Sequence, residues 1–216
     1  MPAGSKLTLP NIITLARIAS CPGLFFLAVA ESTTARFGAF VLFVAAGLSD
    51  VWDGYLARKH GWITDIGKLL DPIADKLLLV ATFVPFYIVS HRAGVENRVP
   101  VWGTLPVWVL VVIFGRELFI TLFRQWAQRR GVVIAAGRSG KNKTLLQSLF
   151  MGGLLLWYPL LLTATRRGWV EAAWWKPLAL GLTGFIAATL AGALVLTVYS
   201  MIDYLWSYRS LVGVRD

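Results

Sequence analysis

Five of the chain's 11 acidic residues, Asp50, Asp53, Asp65, Asp71 and Asp75, crowd into one stretch that reads DVWDGYLARKHGWITDIGKLLDPIAD. Apolar runs flank it on both sides. The carboxylates therefore lie at or inside the edge of a bilayer, where an ionised side chain is costly and marks a functional site. Helical spacing turns the stretch into geometry. Asp50, Asp53, Gly54 and Ala57 are related by steps of three and four and share one helix face, while Gly67, Asp71 and Asp75 step by four along a second helix. Joined by the short basic turn Arg58, Lys59, His60 and Gly61, two such helices bring two pairs of carboxylates together. Four anions a few ångströms apart repel one another and are tolerated only with neutralising cations. Oxygen-only ligands select hard divalent metals, Mg2+ or Mn2+, which also take substrate phosphates. The expected centre is a two-metal one held by Asp50, Asp53, Asp71 and Asp75.

Gly54, Ala57 and Gly67 lie in line with the acids and leave a flat surface that a nucleotide can approach, and Arg58 offers a phosphate a bidentate partner. Helix caps and interfacial ion pairs would require neither four acids in step nor the interleaved glycines. Asp65 falls outside the step and reads as a turn or supporting residue. His60 and His91 are isolated and read as solvated loop residues, and Asp203, after the last apolar run, as a cap or a partner for Arg209.

The elements that must position these groups are membrane spans. The chain has 216 residues, 57% hydrophobic and only 15% charged, which excludes an ordinary soluble domain. Its single cysteine, Cys21, excludes an internal disulfide and a cysteine-rich metal site and reads as packing. The expectation is an all-α, polytopic membrane protein forming one domain over residues 1–216, with six transmembrane helices near residues 11–30, 37–56, 69–89, 101–123, 145–163 and 177–201. The apolar runs are long, rich in Leu and Ala and without period-two alternation, which rejects strands. Ala28-Val29-Ala30 matches a signal-peptidase site, but the first span is needed to place the acids on the right side of the membrane.

A net charge of +10 raises nucleic acid as a partner, yet the basic residues form no soluble arm. They concentrate in particular loops and point to anionic lipids or substrates. If both termini, the acidic turn and residues 124–143 share one side, that side holds all but Arg36, Arg92, Arg98, Arg166, Arg167 and Lys176 of the 21 Lys and Arg, and is the cytoplasmic one. Trp169, Trp174 and Trp175, and later Tyr204, Trp206 and Tyr208, read as interfacial anchors. Arg129 and Arg130 read as lipid-facing. Arg116, within or at the end of an apolar span, is different, because a cation there needs a specific anion; its neighbour Glu117 reads as its partner.

The pattern D-x2-D-G-x2-A-R-x8-G-x3-D-x3-D, filled by Asp50, Asp53, Gly54, Ala57, Arg58, Gly67, Asp71 and Asp75, resembles that of the CDP-alcohol phosphatidyltransferases. The opening PNIITLARI and the segments GRELFITLFR and GRSGKNKTLLQ are similar to those of the members that form phosphatidylglycerophosphate. The resemblance runs from Leu9 to Gln147. It implies that family's fold and a transfer of a phosphatidyl group from CDP-diacylglycerol to glycerol 3-phosphate with release of CMP. It further implies Asp75 as general base on the acceptor hydroxyl, the acceptor phosphate held by Arg116, Arg124, Lys141 and Lys143, and a homodimer in a bacterial inner membrane with its active site facing the cytoplasm. Arg138 is a weaker candidate; Thr144 and Gln147 add neutral contacts, or Thr144 marks a helix start. Members acting on phosphatidylglycerol or an inositol phosphate share the acidic signature, and only the basic cluster separates them. A prenyltransferase would lack the D-G-x2-A-R core. An ion transporter would explain the carboxylates but not the aligned glycines, Arg58 or the basic cluster.

Overall fold

The computed structural model describes residues 8–62, 64–132 and 138–209. Among the described residues there are six long helices: α1 (Leu9–Val29), α2 (Thr33–His60), α3 (Asp65–Ser90), α4 (Val107–Arg129), α5 (Arg138–Arg166) and α6 (Trp175–Ser207). Short 3-10 turns at Val95–Asn97 and Trp169–Glu171 sit in two of the connections. Among the described residues the nearest thing to sheet is an isolated antiparallel bridge between Val99 and Gly103. The all-α expectation holds, and the protein is an integral membrane protein with five helices long and apolar enough to cross a bilayer.

The sixth long helix, α4, misses that apolar criterion. Every 18-residue window of it takes in Arg116, Glu117 and Arg124. It also starts later than the apolar run at residues 101–123 suggests. Val101 and Gly103 take positive φ (67° and 71°), the 99–103 bridge closes a tight turn, and Pro106, lacking an N–H, stands at the N-cap. Helix α5 begins at Arg138, well ahead of the expected 145, so Thr144 lies a turn and more inside it. There its hydroxyl donates back to the Gly140 carbonyl at 3.1 Å and marks no helix start.

Two compact units divide the chain, one comprising residues up to Asn97 with Leu155–Val170, the other Arg98–Leu154 with everything from Glu171 onward. In the first unit α1 packs against both α2 and α3. Ala39, Ala46, Ala74 and Ala81 are buried, as small residues must be where helix backbones approach closely without a hydrophobic drive between them. Leu24, Phe43, Phe83 and Phe86 fill the remaining space, and Cys21 is buried among them as packing. In the second unit Val109, Ile113, Ile120, Phe150, Leu154, Ile186, Leu190 and Ala193 form the core. A Cβ on Gly153 would come within 3.1 Å of Ile186, and one on Gly192 within 2.9 Å of Leu146, so the Ile186 and Leu146 side chains take up the space over these glycines.

Candidate active site

The acidic stretch folds as a helix, a tight turn and a second helix. Helix α2 ends where Gly61 takes the left-handed conformation (φ 66°) and its N–H reaches back to the Ala57 carbonyl. Helix α3 starts at Thr64, whose hydroxyl accepts from the Gly67 N–H at 3.0 Å. Asp50 and Asp53 thus lie in the last turns of α2, and Asp71 and Asp75 in the early turns of α3, as the spacing predicts.

Helix α1 binds the two pairs together. The Arg17 guanidinium, its side chain only 1% exposed, donates through Nη1 to Asp50 Oδ1 and through Nη2 to Asp53 Oδ2, and lies 3.9 Å from Asp75 Oδ1. One turn earlier, the Thr14 hydroxyl is 3.3 Å from Asp53 Oδ2 and 3.2 Å from Asp71 Oδ1. All four aspartates therefore converge on two side chains of one helix. Asn11, a further turn back, exchanges hydrogen bonds with Thr64 at 2.9 and 3.1 Å and ties α1 to the start of α3.

Asp53 is sealed in, with 7% of its side chain exposed, whereas Asp50 and Asp75 are open at 52% and 69%. Among the described residues no three His, Cys, Asp or Glu side chains stand close enough to form a ready-made metal cage. The donor set nevertheless fits hard divalent cations. It is oxygen-only, and the contacts to α1 engage a single oxygen of each carboxylate, so the other oxygens remain for a cation.

Asp53 and Asp71 line an open cavity of about 190 Å³ with Gly54, Ala57, Arg58 and Gly67, all four of the residues expected to meet a nucleotide. Trp62 and Lys68 also line it, as do Asn11 and Thr14 from α1. Gly67 has a tighter reason to be glycine than a flat surface. A Cβ on Gly67 would stand 2.8 Å from Asn11 Oδ1, inside the α1–α3 contact, and one on Gly54 would stand 3.3 Å from Nη1 of Arg58, which folds back over it. Asp65 makes an exposed pair with Lys68 at 2.9 Å and takes no part in the convergence. His60 stacks on Trp62, and His91 packs at a tilt against Tyr87, so neither joins the carboxylates.

In the second unit the basic residues also come together. Arg116 and Lys143 share Glu117 Oε1, the first at 3.2 Å and the second in close contact, and Lys143 is 2% exposed. Arg116 Nη2 donates to Ser200 Oγ at 3.1 Å, and Arg124 Nε to Tyr204 Oη at 3.3 Å. Two turns apart on α4, the arginines thus reach residues one turn apart on α6. Among the described residues, Arg116 Nε and Gln147 Nε2 are buried without a hydrogen-bond partner. The side chains of Lys141 and Arg138 lie outside the described residues. Sequence reasoning missed Thr14, Arg17 and Ser200, and read Tyr204, which is buried against Arg124, as an interfacial anchor. The available signal was polar residues at helical spacing inside apolar spans.

The four aspartates keep the spacing of the family pattern and stand beside a glycine-lined cavity. The CDP-alcohol phosphatidyltransferase profile matches residues 7–206. A probable phosphatidylglycerophosphate synthase of Mycobacterium tuberculosis (strain H37Rv) is 32% identical over 213 residues, 96% of this chain and 85% of that protein. A CDP-diacylglycerol–glycerol-3-phosphate 3-phosphatidyltransferase of Haemophilus influenzae is 33% identical over 202 residues, 93% and 92% of the two chains. One of Escherichia coli (strain K12) is 30% identical over 207 residues, 95% and 97%. With the motif filled at every position and the match running almost end to end, the chain belongs to the CDP-alcohol phosphatidyltransferase family.

Proposed function

We propose that the chain is the enzyme that transfers a phosphatidyl group from CDP-diacylglycerol to the primary hydroxyl of sn-glycerol 3-phosphate, releasing CMP. The observation that carries this is the convergence of Asp50, Asp53, Asp71 and Asp75 on Thr14 and Arg17, beside a cavity lined by Gly54, Ala57, Arg58 and Gly67. The names of the relatives supply the acceptor. The family match runs through both units and supports residues 1–216 acting as one catalytic domain.

Asp50, Asp53 and Asp71, with Asp75 contributing, would hold two divalent cations, Mg2+ or Mn2+. Such cations supply charge neutralisation at the pyrophosphate and ease CMP away as leaving group. Gly54, Ala57 and Gly67 admit the cytidine nucleotide against the helix faces, and Arg58 pairs with a phosphate. Asp75 takes the proton of the acceptor hydroxyl as that oxygen bonds to the β-phosphorus and the bond to the CMP phosphate breaks. Arg116, Arg124, Lys141 and Lys143 hold the acceptor phosphate, with Glu117, Ser200 and Tyr204 fixing the three whose side chains are described. The excess of Lys and Arg in the acid-side loops supports a cytoplasm-facing site in a bacterial inner membrane, where both substrates are available. The family supports a homodimer.

Purified protein given CDP-diacylglycerol and Mg2+ or Mn2+ is expected to release CMP with glycerol 3-phosphate and much more slowly without it. Faster turnover with phosphatidylglycerol or an inositol phosphate would replace this acceptor. Arg116→Gln is expected to raise the KM for glycerol 3-phosphate roughly tenfold to a hundredfold, the worth of a charged hydrogen bond, and to leave the KM for CDP-diacylglycerol near its original value. An equal rise in both constants would place Arg116 outside the acceptor site.

A further inference from the structure

We infer that Arg17, assisted by Thr14, is the positioning residue of the carboxylate centre, holding one oxygen each of Asp50 and Asp53 so that the other stays available to a divalent cation. The inference rests on the metal-dependent reading above and concerns what makes that centre able to bind.

The first argument is burial. A guanidinium inside a membrane-spanning helix with 1% of its side chain exposed needs counter-anions, and the contacts Arg17 makes are to Asp50, Asp53 and, more distantly, Asp75. It is sealed behind them, while Asp50 and Asp75 remain half open or more. Substrate reaching the centre therefore meets carboxylates, and Arg17 acts through them.

Charge is the second argument. One guanidinium against four carboxylates lowers their mutual repulsion without neutralising it, so the acids stay gathered yet still attract cations. Geometry is the third. The two Nη atoms of a planar guanidinium bridge one oxygen of Asp50 and one of Asp53 at once, fixing the angle between neighbouring ligands, as outer-shell partners do around metal sites. A lysine ammonium carries the charge but not the fork. Thr14 extends the brace to the other helix. Its single hydroxyl hydrogen is within reach of Asp53 and Asp71, as well as of the Pro10 carbonyl at 3.1 Å, so it links α2 to α3 less firmly than Arg17 links Asp50 to Asp53.

The test measures Mn2+ binding by electron paramagnetic resonance on the full chain in nanodiscs, alongside CMP release as a function of Mn2+. Arg17→Gln is expected to weaken Mn2+ binding by about ten- to a hundredfold, with part of the lost kcat regained at high Mn2+. Arg17→Lys should fall between it and the unaltered protein, and Thr14→Val should lose about two- to tenfold. Binding that stays the same or tightens in Arg17→Gln would make Arg17 a mere occupant of the site and overturn the inference. If Arg17→Gln does not yield a monodisperse protein, Arg17→Lys and Thr14→Val decide in its place, and unchanged Mn2+ affinity in both overturns it. An unaltered protein that binds no Mn2+, or binds it equally well as Asp71→Asn, brings down the metal-dependent reading itself.

Discussion

Asp75→Asn is expected to reduce CMP release by about 10²- to 10⁴-fold, the range over which a positioned general base contributes, while CDP-diacylglycerol still binds. The substitution keeps the size of the side chain and removes its ability to accept a proton. Its structural cost is small, because Asp75 is 69% exposed and its nearest charged partner, Arg17, is 3.9 Å away and engaged with two other acids. A folded, substrate-binding, inactive protein is therefore the outcome that separates a base from a structural acid. The measurement is single-turnover CMP release paired with equilibrium binding of the liponucleotide. Near-normal turnover in Asp75→Asn would move the base elsewhere, and loss of binding in step with turnover would make Asp75 chiefly a metal ligand.

The contrast among the acids explains how far the centre could be read from the chain. Steps of three and four put Asp50 with Asp53 and Asp71 with Asp75, and α2 and α3 carry them as expected, because such neighbours are fixed by the helix itself. The partner that joins them was not legible in the same way. Arg17 and Thr14 lie 33 to 58 residues from the acids they touch, and Ser200 and Tyr204 lie 84 and 80 residues from the arginines they hold. Which distant helix a side chain meets depends on how helices pack, and no local period encodes that. A general rule did point to it: a cation within an apolar span has to find an anion, and the aspartates are the acids that the neighbouring spans carry. Applied to Arg116, the same rule singled out an anion-seeking cation; left unapplied at Arg17, it let α1 pass as a topological necessity only. The late start of α4 has a local cause, since a bilayer-length apolar run can include a proline-bounded turn whose hydropathy matches that of a helix.

Asp53→Asn is expected to fail in two ways at once, and in this it differs from Asp75→Asn. Asp53 is the most buried of the four acids, and one of its oxygens is shared by Arg17 and Thr14. Removing its charge leaves a buried guanidinium with Asp50 as its one remaining close counter-ion, at a cost of about 1.5–3 kcal/mol for the lost charged hydrogen bond. It also removes an oxygen from the proposed cation site, which should lower turnover by at least about a hundredfold, more than the loss of an outer partner does. Asp65→Asn, in the same stretch but exposed and outside the convergence, is expected to change neither. Unfolding in a denaturing detergent titration reads the stability, and CMP release at saturating Mn2+ reads the activity. Combining Asp53→Asn with Arg17→Gln then asks whether the two losses have one cause. With the guanidinium gone, Asp53→Asn no longer leaves a buried charge short of its partner, so the double variant should be more stable than the sum of the single losses predicts, by about 0.5–3 kcal/mol. Strict additivity would mean that the buried pair does not couple α1 to α2, and that the four aspartates are gathered by some other contact.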